Sequence, residues 1–432
     1  MNPDLNETID RTKSPDIKNM GPLSLPEADT SVLANGLTLH TLSGGDAEVS
    51  RIKILIPGGI AESPRPQLYQ VANSLMLEGS KNHPGRELAD IIEYNGAWTG
   101  LETTTHHSGL SMYCLNSVYP SLLPLVKEIV MYPEFAPEAT AHMLQSEAAR
   151  IEVEQHKVLY RAGCAIKNMV YGPQHPLSSV TDPQQLLEIT PAEITEAHHA
   201  RLDPEGMHVY ISGLLSKRMT DMAKEVFSSI PKSRTFPLPQ LRFPEHSAGQ
   251  RTHVEMPDSM QSGVRLMIPA IGRKHPDYVP LRMAVIALGG YFGSRLMLNI
   301  REEKGLTYGI TASLMGFRHS GFISIASQTD ARTVDQLIEE TNSELERMKN
   351  PASYSDDEID RISRFVLSEL AGVLDSPFSR ADFLQTQVSA NTPAGYFAMQ
   401  DSAARTMSAE MLASMAEKYF DTSKLFIATA GK

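Results

Sequence analysis

The sequence predicts an α+β fold of two homologous domains, each a largely antiparallel sheet packed against helices. Segments with strand and helix periodicity are mixed without the strict alternation that builds a parallel sheet. A residue pattern also recurs halfway along the chain. Ser108-Gly109-Leu110, followed by Leu122, Leu125, Val126 and Glu128, returns as Ser320-Gly321-Phe322, Val334, Leu337, Ile338 and Glu340 at an offset of 212. Asp203 to Gly213 returns as Asp421 to Gly431 at an offset of 218. Two similar offsets fit two related domains with altered loops, not a short solenoid repeat. The 432 residues also suffice for two or three domains of roughly 150 residues, each with its own core.

Residues 1–28 carry Pro3, Pro15, Pro22 and Pro26 among polar residues and read as an extended arm. Val32 to Leu42 reads as strand, turn and strand around Asn35-Gly36, a strong hairpin signal. Ile52 to Ile56 is a strand stopped by Pro57-Gly58-Gly59. Leu68, Val71, Ala72, Leu75 and Met76 have helical spacing, closed by Gly79, and a second helix follows His83-Pro84-Gly85. Ser108 to Leu115 is a strand, Ser121 to Val130 a helix, and Pro137 to about Val158 one long helix with proline at its first position. Pro231, Pro237, Pro239 and Pro244 mark a linker. The expected organisation is an arm (1–28), a first domain (29–230), a linker (231–249) and a second domain (250–432).

Lys plus Arg is 39 and Asp plus Glu is 51, a formal charge of −12, the wrong sign for a generic nucleic-acid binder. No apolar run is long enough to span a bilayer, and the start lacks a basic and apolar signal region. A soluble, cytoplasmic protein without nucleic-acid or membrane partners is expected. Cys114 and Cys164 form neither a C-x-x-C pair nor a zinc knuckle.

Several segments resemble the pitrilysin or insulinase-type zinc metallopeptidases, a family that includes the mitochondrial processing peptidase and half-length bacterial members. These are Asn35-Gly36-Leu37, Leu75 to Gly79, Pro84 to Leu88 and, most specifically, Leu288 to Leu296 running into Ile300 to Tyr308. The resemblance covers roughly residues 28 to 432 and implies tandem α+β domains around a peptide-binding chamber. It also implies an inverted motif, His-x-x-Glu-His, on the helix from Leu68. Two imidazoles four apart share a helix face and bind Zn²⁺, while the glutamate activates water. Here Gln70, Asn73 and Ser74 stand at those positions. Amides and a hydroxyl are poor zinc ligands, and Asn73 cannot take a proton from water. The family's third ligand, a glutamate, falls near Ile151, where Glu147, Glu152 and Glu154 are the candidates.

Other constellations are weak. Glu152 and His156 are four apart, but His106-His107 and His198-His199 are adjacent pairs whose side chains diverge. No Gly-x-Ser-x-Gly elbow is present. Gly289 to Ser294 lacks the ending of a phosphate loop and reads as a tight turn before a helix, with Ser294 as its cap.

Arg301 and Tyr308 stand seven apart across Gly305, which should end a helix and release a strand from Leu306 to Ala312. The resemblance implies that they match the family's Arg and Tyr pair, which holds substrate and the developing oxyanion. It also implies that half-length members can assemble active sites from two chains. The expectation is therefore a non-catalytic subunit of a heteromeric zinc peptidase, with no catalytic residue or cofactor of its own and zinc in a homologous partner subunit. Peptide is the substrate, and a homodimer is the alternative for the isolated chain. The rival readings are an autonomous metallopeptidase with an unusual metal site and a purely structural subunit. Where the family pairs a substrate strand, the usual Asn-Ala is replaced by Gly100-Leu101 beside Trp98, which counts against peptide contact there.

Overall fold

The computed structural model describes residues 12–13, 20–173, 175–178, 183–232, 248–318 and 320–432. Most of the expected arm and linker lies outside them. The first half contributes strands β1 (Asp29–Val32), β2 (Thr38–Ser43), β3 (Val49–Pro57), β4 (Trp98–Thr103), β5 (His107–Leu115) and β6 (His208–Gly213). Its helices are α1 (Leu68–Ser74), α2 (Arg86–Tyr94), α3 (Tyr119–Met131), α4 (Pro137–Glu154), α5 (Val158–Tyr171), α6 (Gln184–Leu187), α7 (Pro191–His199) and α8 (Lys217–Ser228). The second half contributes β7 (Arg251–Glu255), β8 (Ser262–Ala270), β9 (Thr307–Gly316), β10 (Gly321–Thr329) and β11 (Phe426–Gly431). Its helices are α9 (Tyr278–Val285), α10 (Val334–Arg347), α11 (Asp356–Leu374), α12 (Pro377–Ala390), α13 (Tyr396–Arg405) and α14 (Ala409–Tyr419), with π-helical turns at Ile286–Gly290 and Met297–Glu303.

The strands form two sheets, ordered β1-β2-β6-β3-β5-β4 and β7-β11-β8-β10-β9. All neighbours pair antiparallel except β2 with β6 and β7 with β11. The fold is thus the α+β arrangement expected, with one parallel pair per sheet. The hairpin at Asn35-Gly36 pairs Val32 with Thr38, and Gly36 takes φ +95, which only glycine adopts without strain. One face of each sheet carries an aliphatic core. Ile52, Ile54, Leu110 and Met112 pack with α3 and α8 in the first, and Val264, Leu266, Ile323 and Ile325 pack with α9, α10 and α11 in the second.

The opposite faces are covered by exchanged helices. Helix α5 from the first half lies on β7, β8 and β11, and α12 from the second half lies on β2 and β6. Helix α12 is well delimited: Ser376 caps its N-terminus through Ser379 N–H, Pro377 occupies the first turn, and Asn391 ends it at φ +53. The single long helix expected from Pro137 to Val158 is two helices, broken at Gln155–Lys157. Helical spacing continues through the break, but α4 packs on α1 and α6 whereas α5 crosses to the other sheet, so the chain must turn.

The sequence repeat needs a similar correction. Lys53 pairs with Tyr210 on β6 and Arg265 pairs with Ala428 on β11, which preserves the offset of 218. Across β5 and β10, however, the partners are Ser111 and Ala326, an offset of 215 and not 212. Register follows strand pairing, and the recurring Ser-Gly-apolar triplet sits three residues out of step with it. Of the arm, Leu23 and Leu25 pack on the second core, and Arg405 donates to the carbonyls of Met20 and Gly21.

Candidate functional site

Helix α1 starts after Gln67, which takes φ +71. Leu68, Val71, Ala72 and Leu75 face Leu144 and Ile151 of α4 and Ile194 of α7. The other face brings Gln70, Asn73 and Ser74 toward β4 and β5. Asn73 is buried, and its Nδ2 donates to the carbonyls of Glu102 (3.0 Å) and Gly109 (3.3 Å). Among the described residues, the oxygens Asn73 Oδ1 and Gln70 Oε1 are buried without partners. An amide anchored to two strands tightens the helix on the sheet. The family's third ligand falls where Ile151 is fully buried against α1. Glu147 pairs with Arg150 (Nε to Oε2, 2.7 Å), Glu154 pairs with Lys157 (2.5 Å), and Glu152 is exposed. Among the described residues no group of three or more His, Cys, Asp or Glu could hold a metal. These residues do not fit a zinc ion.

The histidine pairs diverge. His198 is fully buried and donates from Nε2 to the carbonyl of Val130 (2.8 Å), whereas His199 is exposed. Burial, with Arg201 nearby, drives His198 down to about 3. His107 is likewise held near 3 by burial and then by the charge of Arg318. His106 Nδ1 meets Glu62 Oε1 at 2.6 Å, and both are buried. That pair, 44 residues apart, had no sequence signal because no spacing rule links a 3₁₀ turn to a hairpin. Nor did Arg201, which is buried over the ring of Tyr69 (4.3 Å) and donates to Ser108 Oγ (2.7 Å). His106 borders a cavity of about 240 Å³ between the halves, with Arg273, Phe317 and Gln385.

In the second half, Gly289 brings the chain against β9: a Cβ there would lie 2.6 Å from Ala312 Cβ, which explains glycine in the turn. Ser294 is buried before the helix, but among the described residues its Oγ has no partner, so it does not cap as expected. Packing holds it instead. The helix runs through Arg301 and ends at Gly305, whose φ of +61 lets its N–H reach the Arg301 carbonyl (3.1 Å). Strand β9 then starts at Thr307, as the spacing predicted.

Arg301 and Tyr308 are both available. The Arg301 guanidinium lies 4.7 Å from the ring centroid of Phe292, itself 65% exposed, and 3.5 Å from Glu302. Tyr308 is 90% exposed on β9, the edge strand of its sheet, and among the described residues its hydroxyl has no partner. A tyrosine so exposed contributes little packing. The degenerate zinc face borders β4, the edge of the first sheet, and no hydrogen bond or ion pair among the described residues joins it to Arg301 or Tyr308. Trp98 on β4 is 64% exposed and packs at 5.4 Å from Tyr113.

Residues 188–365 match the family model described as the peptidase M16 inactive domain. A probable inactive metalloprotease of Bacillus subtilis, YmfF, is 19% identical over 62% of this chain and 64% of its own length. An uncharacterized zinc protease of Mycobacterium bovis is 26% identical over 58% of each. Residues 188–365 therefore resemble the M16 peptidase family. The match spans less than two-thirds of either relative. Subunit 1 of the mitochondrial cytochrome b-c1 complex of Bos taurus is 25% identical over 62% of this chain and 56% of that one. The fold is shared with an M16 inactive-domain structure from Pseudomonas fluorescens, with a TM-score of 0.84, 23% identity, and coverage of 94% of this chain and 98% of that one. Among the described residues, no helix is long and apolar enough to cross a membrane.

Proposed function

We propose that this chain is the non-catalytic subunit of a heteromeric M16 zinc peptidase. Arg301 and Tyr308 would bind peptide and donate hydrogen bonds to the carbonyl oxygen that gains charge at a homologous partner's zinc site. One contrast carries the reading. The positions of the zinc motif hold Gln70, Asn73 and Ser74, with Asn73 committed to two backbone carbonyls, while Tyr308 stands in solvent without a structural task.

Mixing the chain with a partner bearing His-x-x-Glu-His tests it. Peptidase activity is expected only in the mixture. Arg301→Ala or Tyr308→Phe is expected to leave the heterodimer intact by gel filtration and to lower kcat roughly ten- to a thousandfold. Unchanged kcat in both variants ends the reading. Similarity to subunit 1 of the cytochrome b-c1 complex favours a second reading, a purely structural subunit. That reading predicts damaged assembly with normal turnover in whatever complex survives.

A further inference from the structure

The two exchanged helices meet their sheets in equivalent registers, so the residues under them can be compared one by one. Lys53 on β3 and Arg265 on β8 occupy the same place between β6 and β5 or β11 and β10. In the first sheet Lys53 Nζ binds Asp382 Oδ1 of α12 (3.3 Å) and Glu102 Oε1 of β4 (3.0 Å). Aligning the 14-residue helices α12 and α5 by their first residues puts Gly163 in the place of Asp382. The contact agrees: a Cβ on Gly163 would lie 3.8 Å from Arg265 Nε. Following the pairing outward puts Ser313 of β9 in the place of Glu102. Tyr210 and Ser111, which flank Lys53, become Ala428 and Ala326.

Every group that neutralises or encloses Lys53 is therefore cut back around Arg265, yet positive charge is added. Lys167, one turn beyond Gly163 on the same face of α5, replaces Thr386. Among the described residues neither Arg265 nor Lys167 makes a side-chain hydrogen bond or ion pair, and Arg265 Nε is buried without a partner. Burial lowers the pKa of both, and Arg265 lowers that of Lys167 further while Cys164 opposes it. Arg265 is half-buried and Lys167 is exposed beside it, and two neighbouring cations without a carboxylate repel each other unless an anion joins them. We propose that Arg265 and Lys167 form a binding site for a compact oxyanion, a carboxylate or phosphate group, where the first sheet uses its own carboxylates.

Inorganic phosphate and acetate, titrated separately against the full chain at constant ionic strength, test the site. At saturation the melting temperature is expected to rise by roughly 2 °C, with apparent affinity at least tenfold weaker in Arg265→Gln and Lys167→Met. A response to both anions identifies carboxylate chemistry, and a response to phosphate alone identifies a phosphate site. Gly163→Asp supplies the missing carboxylate in the chain itself. It is expected to melt higher than Gly163→Ala without added anion and to lose the response that Gly163→Ala keeps. Absence of response in the full chain, an unchanged response in Arg265→Gln and Lys167→Met, or a Gly163→Asp protein that melts no higher than Gly163→Ala overturns the proposal.

Discussion

Under α12 the first sheet presents Arg51 and Lys53, whereas under α5 the second presents Gly263 and Arg265 at the same positions. Arg51 reaches Asp382 Oδ2 (2.9 Å), the carbonyl of Phe378 (2.9 Å) and the hydroxyl of Tyr113 (3.0 Å), and lies over the rings of Tyr113 and Phe378. Gly263 instead lets the first turn of α5 come so close that a Cβ would lie 2.6 Å from the backbone of Val158. One interface is held by an ionic network and the other by close backbone approach over small residues, Ala162 and Ala430 among them. A shared topology thus does not impose a shared chemistry. The charged interface requires every partner to be present, because an unpaired buried cation is costly. The small-residue interface requires that nothing be added at Gly263.

Acidification should separate the halves most strongly. His40, His107 and His198 belong to the first half, and burial holds them near 4, 3 and 3. In the unfolded chain they titrate near 6.5, so the unfolded chain binds protons first and stability falls as pH drops from about 6.5 to about 4. Each contributes a loss of roughly 3 kcal/mol at pH 4. Hydrogen exchange is expected to show β2, β5 and α7 opening before β8, β10 and β11, and uniform opening would contradict this.

Next in size is Asp382→Ala, which leaves Arg51 and Lys53 without one carboxylate between them, although Glu102 still reaches Lys53. A destabilisation of about 2–4 kcal/mol by urea unfolding is expected, reduced by high salt less than a surface pair would be. A loss within 0.5 kcal/mol would mean the network is incidental. Gly263→Ala should cost about 1–3 kcal/mol through its clash with Val158. At the equivalent place Arg51 is already accommodated. The smallest effect runs the other way. Gly163→Ala has room, with its nearest neighbour at 3.8 Å, and should stabilise by about 0.5–1 kcal/mol through helix propensity. Destabilisation would show that α5 sits closer to Arg265 than the geometry gives.

What depends on local chemistry and short spacing was legible in the amino-acid sequence. It showed the hairpin at Asn35-Gly36, the stop at Gly305, the α+β class, the repeat, and the loss of imidazole and carboxylate at Gln70, Asn73 and Ser74. Each of these is decided by side chains within a few residues of one another, or by a pattern that survives in one dimension. The tertiary structure alone decided the break between α4 and α5, the exchange of α5 and α12 between the sheets, the burial of Glu62 against His106, and the exposure of Tyr308. It alone set Gly163 opposite Arg265 as Asp382 is set opposite Lys53. Pairing partners hundreds of residues apart are chosen by sheet register and helix packing, which depend on the sum of many weak burial terms and not on any one motif.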